Sequence, residues 1–179
     1  MSHREPSSAG AAIDTLARIV ADFPTPGVLF RDLSPLFADA AALRLLAEAL
    51  PQLCGPADLY AGIEARGFVL GAAAAVAAGK GMIAIRKPGK LPGAVIGEDY
   101  ALEYGTARLE LHPDDVPDGA RVLVIDDVLA TGGTAAAAVR LLHRAGATVV
   151  GVAVAIELVG LGGRATLPAA MPVAAIRQL

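Results

Sequence analysis

Two adjacent carboxylates, Asp126 and Asp127, are the residues best suited to bind a ligand or take part in a reaction. Small, hydroxyl and glycine residues follow them: Ala130, Thr131, Gly132, Gly133 and Thr134. An apolar, β-branched run at residues 122–125 predicts a buried strand that ends at the carboxylates, and the alanine-rich stretch afterwards predicts a helix. Such a turn directs several backbone N–H groups to one point, where the helix dipole adds positive potential. The pattern therefore predicts an anion site, most naturally for phosphate.

The residues that this site lacks narrow the class of ligand. A P-loop for nucleoside triphosphates requires a lysine after its last glycine, whereas Thr134 and Ala135 stand here, and a dinucleotide-binding turn requires a third glycine. The site is therefore suited to a terminal monophosphate. Carboxylates repel phosphate but accept hydrogen bonds from sugar hydroxyls, so the combination describes a ribose 5-phosphate. The alternative is an ordinary strand, turn and helix with the aspartates as caps, which does not require two carboxylates at this spacing.

Two further polar segments follow predicted strands. Arg66 lies in the sequence Glu-Ala-Arg-Gly after a predicted strand at residues 58–63, where its planar guanidinium could bind a diphosphate. The alternative is a Glu–Arg pair at the surface, which would contribute under about 1 kcal/mol to stability. Lys87 opens a segment rich in glycine and proline, residues 87–105, that has no periodicity and is long for a loop in a compact domain. We expect this segment to act as a lid, although a mobile surface loop is the other interpretation.

Composition excludes several classes of protein. The 179 residues predict a single domain, 1–179, with a disordered tail at 1–10, and no apolar run approaches the roughly 18 residues of a membrane span. The formal net charge of −3 and the absence of a basic block argue against nucleic acid as a ligand. One cysteine, Cys54, excludes an internal disulfide and agrees with a cytoplasmic location.

The order of elements predicts an α/β fold, a parallel sheet with helices on both faces. The predicted helices are residues 13–21, 39–50, 68–78 and 134–145, and the predicted strands are residues 58–63, 82–85, 106–111, 122–125 and 148–156. Ligands in such sheets bind beyond the carboxyl ends of the strands, so we expect the three polar segments to meet at that edge.

The whole run from 122 to 134 resembles the 5-phosphoribosyl-1-pyrophosphate (PRPP) motif of type I phosphoribosyltransferases. Four other segments, residues 22–32, 64–68, 86–92 and 102–105, resemble the adenine phosphoribosyltransferase family specifically. The resemblance implies the type I phosphoribosyltransferase fold, with residues 22–35 as a hood over the base and 87–105 as a flexible catalytic lid. It also implies conversion of adenine and PRPP to AMP and pyrophosphate, with Mg²⁺ carried mainly by PRPP, pyrophosphate and water rather than by protein ligands. A homodimer is expected from the family alone.

The resemblance also implies a role for each site residue. The expected catalytic residues are Arg66, Glu103, Asp126 and Asp127, with Glu103 handling the proton of the purine N7. Adenine is expected to contact Leu29 and Phe30, with Arg31 holding the hood. Pyrophosphate is expected to contact Arg66, Lys87 and Tyr104, the latter from the closed lid. The ribose hydroxyls are assigned to the two aspartates and the 5′-phosphate to residues 130–134. A cis peptide bond is expected between Ala65 and Arg66.

Two alternatives remain open. A related enzyme for xanthine, hypoxanthine, guanine or orotate would keep the phosphate site, although enzymes for 6-oxopurines commonly place a lysine near the strand at 152–158, which has none. A regulatory protein that senses PRPP would also keep this site, but it would need a basic face or an added domain to bind nucleic acid.

Overall fold

The computed structural model describes residues 6–23, 25–101 and 105–179, and its centre is a five-stranded sheet in which all neighbouring strands are parallel. In spatial order the strands are β4 (Gly81–Ile85), β3 (Leu59–Ile63), β7 (Arg121–Leu129), β8 (Thr148–Glu157) and β9 (Val173–Gln178). The predicted α/β class is confirmed. Strand β9 lies in a C-terminal segment for which the sequence predicted no element.

Helices cover both faces of this sheet. Helix α4 (Arg66–Ala78) connects β3 to β4, and helix α5 (Gly133–Arg144) connects β7 to β8. Side chains alternate along β7, so that Leu123 and Ile125 pack in one core with α4 while Val122 and Val124 pack in the other with α5. The first core also contains residues from α1 (Ala9–Leu16), α2 (Ser34–Ala38) and α3 (Ala40–Ala49). No helix in the described part of the chain is long and apolar enough to cross a membrane.

Three glycines bring α4 unusually close to the sheet. A methyl group on Gly62 would lie 2.7 Å from the carbonyl oxygen of Gly67, and one on Gly71 would lie 3.1 Å from the Cα of Gly62. A methyl group on Gly67 would lie 2.9 Å from Oδ1 of Asp126. Because no side chain intervenes, the beginning of α4 lies directly against the carboxylate-bearing end of β7.

Two antiparallel hairpins stand outside the central sheet. The first pairs β1 (Arg18–Ala21) with β2 (Leu29–Asp32), and the second pairs β5 (Ile96–Ala101) with β6 (Thr106–Leu111). The predicted helix at 13–21 is therefore wrong in its second half, because residues 18–21 are extended by pairing with β2. Its beginning is also earlier, since the Ser8 hydroxyl caps α1 by accepting from the Ala11 amide at 3.2 Å. This helix shortens the predicted tail at 1–10, of which residues 1–5 lie outside the described residues.

Two further predictions of local structure need correction. The segment 87–105 is not devoid of secondary structure, because residues 96–101 pair with β6 as strand β5. Strand β7 does not end at the carboxylates but continues to Leu129, since β8 pairs with it as far as Glu157. Short 3-10 helices complete the chain at Leu50–Gln52, Pro113–Asp115, Val159–Leu161 and Gly163–Thr166.

Candidate active site

A cavity of about 740 Å³ lies at the carboxyl ends of the sheet strands and collects most of the predicted site residues. Nine of these residues line it: Leu29, Phe30, Arg31, Arg66, Lys87, Asp126, Asp127, Ala130 and Thr134. A second cavity of about 90 Å³ is lined by Thr131 and Gly132 together with Asp126, Ala130 and Thr134. Gly133 lines neither cavity and is the first residue of α5. Glu103 and Tyr104 lie outside the described residues.

The phosphate turn, residues 130–134, leads directly into α5. Gly132 has φ of +82°, a conformation that glycine adopts without steric cost, and no side chain in the described part of the chain caps the helix. The first amides of α5 therefore keep their hydrogen-bonding capacity for a ligand. The Thr134 hydroxyl lies 3.3 Å from the Tyr100 hydroxyl of strand β5, so the second hairpin reaches this turn.

The two aspartates share a protein environment that disfavours their charge. Asp127 is 5% exposed, whereas Asp126 keeps partial exposure as part of the cavity wall. Burial raises the pKa of Asp126 well above its ordinary value, and the adjacent Asp127 carboxylate raises this pKa further. Burial also raises the pKa of Asp127, while the charge of Arg66 opposes that shift. The Asp127 amide donates to Oδ1 of Asp126 at 2.8 Å, so one polar contact links the pair.

Arg66 connects the carboxylates to the first hairpin. Its Nε lies 2.8 Å from Oδ2 of Asp127 in an ion pair, although the angle is not that of a hydrogen bond, and Oδ2 accepts none from the described residues. Its Nη1 donates to the carbonyl oxygen of Arg31 at 3.3 Å, and its guanidinium carbon lies 4.9 Å from the centre of the Phe30 ring. The position of Arg66 is thus fixed by three separate contacts at the mouth of the cavity.

Glu64 organises the base of the predicted lid. Its Oε2 accepts from the Lys87 amide at 2.9 Å and from Nε of Arg86 at 3.3 Å. The hydrogen bond from that amide is the main cause that holds the pKa of Glu64 below its ordinary value. The cis peptide bond joins Glu64 and Ala65, so the prediction of a cis bond between Ala65 and Arg66 is wrong by one residue. Arg66 begins helix α4, and the Phe68 amide already donates to the Ala65 carbonyl at 3.2 Å.

The hood carries exposed apolar groups above the cavity. Phe30 packs edge-on against Phe23 with ring centres 5.0 Å apart, and Leu29 is 56% exposed. The buried Nε of Arg31 has no hydrogen-bond partner among the described residues. The predicted hood at 22–35 is therefore built from strand β2 and the start of α2 rather than from loop alone.

Sequence reasoning missed part of the apolar wall of the cavity. Val128, Leu158 and Leu161 line it together with the predicted residues Leu29 and Phe30. Leu158 and Leu161 follow the carboxyl end of β8, which neighbours β7 in the sheet, so the rule that ligands bind at this edge could have identified them. The identity of an apolar residue alone carries no such signal.

Comparison with known proteins agrees with this geometry. A family model described as phosphoribosyl transferase domain matches residues 40–167. An adenine phosphoribosyltransferase of Clavibacter michiganensis subsp. michiganensis is 58% identical over 155 residues, which cover 87% of this chain and 89% of that protein.

Solved structures of similar proteins give the same result. The crystal structure of adenine phosphoribosyltransferase from Rhodothermus marinus has a TM-score of 0.88 at 46% identity and covers 96% of this chain and 98% of its own. The enzyme from Saccharomyces cerevisiae, crystallised with an imino-altritol bisphosphate and adenine, has a TM-score of 0.86 at 33% identity and covers 94% of this chain and 98% of its own. The chain therefore belongs to the phosphoribosyltransferase family, and within it to the adenine phosphoribosyltransferases.

Proposed function

We propose that this chain transfers the 5-phosphoribosyl group of PRPP to adenine, giving AMP and pyrophosphate, with the site residues in the roles set out below. The observation that carries the proposal is a cavity at one sheet edge that brings together the two ends of the phosphate turn, the adjacent carboxylates Asp126 and Asp127 and the apolar residues Leu29 and Phe30. The reaction breaks the bond from C1 of ribose to pyrophosphate and forms a bond from C1 to N9 of adenine. N9 loses its proton during this exchange.

The phosphate turn and the two aspartates are assigned to the sugar. Backbone amides at the start of α5 bind the 5′-phosphate, and Asp126 and Asp127 accept hydrogen bonds from the ribose hydroxyls. Positive charge develops on the ribose as the bond to pyrophosphate weakens, and a carboxylate held nearby stabilises it. The position of both aspartates in the wall of the cavity supports this assignment.

Arg66 and Lys87 are assigned to pyrophosphate, together with Tyr104 when the lid is closed. Mg²⁺ neutralises the charge of the leaving group when it is bound. Asp126 and Asp127, both in the cavity wall, offer such an ion two adjacent carboxylates. This donor set fits an ion that arrives with PRPP and keeps substrate and water as most of its ligands.

The hood and the apolar wall are assigned to adenine. Backbone groups at Leu29 contact the base edge, Phe30 packs on the ring and Arg31 holds the hood, while Val128, Leu158 and Leu161 add apolar surface to the same cavity. Strand β8 carries no lysine that would donate to O6 of a 6-oxopurine. An unmatched buried donor or acceptor costs roughly 1–3 kcal/mol, which corresponds to about ten- to hundred-fold discrimination between bases.

Glu103 is assigned to the proton on N7 of adenine, by the resemblance of residues 102–105 to the family's lid. Protonation of N7 compensates the loss of the N9 proton as the new bond forms. Glu103→Gln should lower kcat well beyond about twofold with little change in the KM for PRPP. A kcat within about twofold of the unsubstituted enzyme contradicts this role.

The same proposal includes the domain organisation, the oligomeric state and the cellular location of the protein. The chain acts as one domain, 1–179, whose hood is residues 22–35 and whose lid is residues 87–105. A homodimer and a cytoplasmic location are proposed with it, the first from the family and the second from the single cysteine. Light scattering coupled to size-exclusion chromatography measures the mass, and a monomer at assay concentration would remove the dimer from the proposal.

The decisive experiment is a spectrophotometric assay with PRPP and Mg²⁺ against adenine, hypoxanthine, guanine, xanthine and orotate in parallel. We expect AMP from adenine and no comparable turnover with the other bases. Turnover with another base would overturn the account of base recognition but not that of the phosphate site. Tight PRPP binding without turnover of any base would replace the enzyme with a PRPP-sensing regulator. Reactions without Mg²⁺ or without PRPP are the controls.

A further inference from the structure

The phosphate turn does not hold its shape alone, because a second turn presses directly against it. This second turn, the backing turn, is the 3-10 segment Gly163–Thr166. A methyl group on Gly132 would lie 2.2 Å from both the Gly163 carbonyl oxygen and Oγ1 of Thr166. A methyl group on Gly163 would lie 2.2 Å from the carbonyl oxygen of Ala130. The two turns therefore meet through backbone atoms and the Thr166 hydroxyl, which is itself held by donating to the Gly163 carbonyl at 2.8 Å.

An ion pair between the exposed Arg164 and the buried Glu157 fixes the position of the backing turn. Arg164, within that turn, donates from Nε to Oε1 of Glu157 at 3.0 Å and from Nη2 to Oε2 at 2.6 Å, and its Nη1 donates to the Val173 carbonyl. Glu157 is 4% exposed, and Gln178 of β9 donates to its Oε2 at 2.9 Å. A two-pronged contact of this kind restricts orientation as well as distance, because the guanidinium fork must lie in the plane of the carboxylate.

The ion pair and the phosphate turn start from neighbouring strand ends. Glu157 is the last residue of β8 and pairs with Leu129, the last residue of β7, directly before the phosphate turn. The Leu158 amide also donates to the Leu129 carbonyl at 2.9 Å. The sheet therefore sets the distance from Glu157 to the phosphate turn. The two-pronged contact of Arg164 with Glu157 then fixes Gly163 and Thr166 relative to that turn.

We propose that Glu157 and Arg164 are positioning residues for the 5′-phosphate, since they hold the backing turn against Gly132 and so aim the amides of the phosphate turn. This inference rests on the proposed function for one point only, which is that the phosphate turn binds a 5′-phosphate. Arg164 does not line the cavity that contains the two aspartates, and its effect on substrate passes through Gly163 and Thr166. The alternative is a purely structural role in attaching strand β9.

The test compares two pairs of matched variants of the full chain. Gly163→Ala places a methyl group 2.2 Å from the Ala130 carbonyl oxygen, whereas Gly160→Ala, in the preceding 3-10 segment, meets no described atom within 4 Å. Arg164→Gln removes the fork, whereas Arg177→Gln removes a guanidinium from β9 that pairs with Asp14 at 2.8 Å. Thr166→Val is a milder change that keeps the side-chain volume. Circular dichroism and thermal unfolding establish that each variant is folded.

Calorimetric titration with ribose 5-phosphate gives the result without requiring turnover. We expect the Kd to rise about tenfold or more for Gly163→Ala and Arg164→Gln, to rise less for Thr166→Val, and to stay within about twofold for both controls. In the turnover assay, the KM for PRPP should rise in parallel while the KM for adenine stays within about twofold. A structural role in attaching β9 would not separate the two substrates in this way.

Contrary results are equally clear. A Kd within about twofold of the unsubstituted protein in folded Arg164→Gln and Thr166→Val overturns the inference, as does an equal rise in the KM of both substrates. Absence of ribose 5-phosphate binding to the unsubstituted protein overturns it as well. If that protein binds ribose 5-phosphate but makes no AMP, the proposed function fails while the Kd comparison still decides the inference.

Discussion

Two carboxylates near the ends of neighbouring strands have almost the same burial, but their pKa values are shifted in opposite directions. Asp127 on β7 is 5% exposed and Glu157 on β8 is 4% exposed. Glu157 accepts three hydrogen bonds, two from Arg164 and one from Gln178, and the bond from Arg164 is the main cause that lowers its pKa. Asp127 has an ion pair with Arg66 but burial still raises its pKa. One carboxylate is satisfied by its own protein and the other is not.

This difference indicates what each carboxylate is for. The sheet edge can saturate a buried carboxylate with donors, as the surroundings of Glu157 demonstrate. An incompletely bonded carboxylate costs stability, so its persistence beside a cavity is typical of a group whose remaining donors come from a ligand. Ribose hydroxyls would supply such donors to Asp126 and Asp127, whereas Glu157 needs no ligand to be complete.

The largest expected effect comes from Asp127→Asn. Loss of the carboxylate should lower kcat or raise the KM for PRPP by at least about ten-fold, roughly 1.4 kcal/mol, because the amide donates where the ribose hydroxyls also donate. The free energy of unfolding at neutral pH should not fall, since a buried charge is removed. Steady-state kinetics and urea unfolding measure the two quantities.

Glu48→Gln on helix α3 is a suitable control for Asp127→Asn, because it removes a carboxylate outside the cavity. It should leave kcat and both KM values within about twofold. Unchanged kinetics in folded Asp127→Asn would end the assignment of the ribose hydroxyls to this residue.

The fold at this edge was predictable from the sequence because its signals are local. The apolar run at 122–125, the glycines at 132 and 133 and the alanine-rich helix each specify one element, and parallel-sheet topology brings their ends together. The end of β7 was predicted too early because aspartate is rare in strand interiors. Pairing with β8 overrides that preference and carries the strand to Leu129.

Other parts of the site depend on contacts distant in sequence, which the pattern of a single segment cannot reveal. Arg164 lies next to Glu157 only because the chain passes through two 3-10 segments after β8, and no local pattern in the sequence predicts that contact. The pairing of residues 96–101 with β6 was hidden in a segment rich in glycine and proline. Arg66 was predicted to bind pyrophosphate from its own segment, but its contact with Phe30 depends on how the first hairpin folds.

Substitution of Glu157, unlike that of Asp127, should destabilise the fold. Glu157→Gln should lower the free energy of unfolding by about 1–2 kcal/mol, because a buried, charge-assisted hydrogen-bond cluster is broken. The loss in free energy of unfolding stays this small because the Arg164 side chain is 46% exposed, so its guanidinium can hydrogen-bond to water instead. Urea unfolding monitored by circular dichroism measures it. Glu48→Gln, at an exposed carboxylate on α3, serves as control and should change stability by no more than about 0.5 kcal/mol.

The third prediction uses pH to separate the two kinds of carboxylate. The pKa of Glu157 is lowered in the fold, so the stability that it contributes is present above its unfolded value of 4.5 and is lost as pH falls through the folded pKa. The pKa of Asp126 is raised, so its contribution is present below its unfolded value of 3.8 and is lost as pH rises through the folded pKa. Asp126→Asn should therefore gain stability relative to the unsubstituted protein at neutral pH, and this gain should shrink in acid.

Thermal unfolding of Asp126→Asn, Glu157→Gln and the unsubstituted protein between about pH 3 and pH 8 measures both effects. The loss of stability in Glu157→Gln should also shrink in acid. The curves of stability against pH should therefore converge at low pH, with Asp126→Asn above the unsubstituted protein and Glu157→Gln below it. Curves that stay parallel across the range would show that neither carboxylate changes its pKa on folding.

The smallest expected effect is at Glu98. Like Glu157 it accepts hydrogen bonds from arginine, but it lies nearer the surface. Its carboxylate accepts from Nε of Arg140 at 2.6 Å and from Nη1 of Arg144 at 3.0 Å, and these contacts attach β5 to α5. The two arginine side chains are 50% and 54% exposed, so water competes for both. Glu98→Gln should lower the free energy of unfolding by less than about 1 kcal/mol. Urea unfolding in low and high salt measures this loss, which salt should reduce. A loss as large as that of Glu157→Gln would mean that the number of donors, rather than their removal from water, determines how strongly a paired carboxylate stabilises this fold.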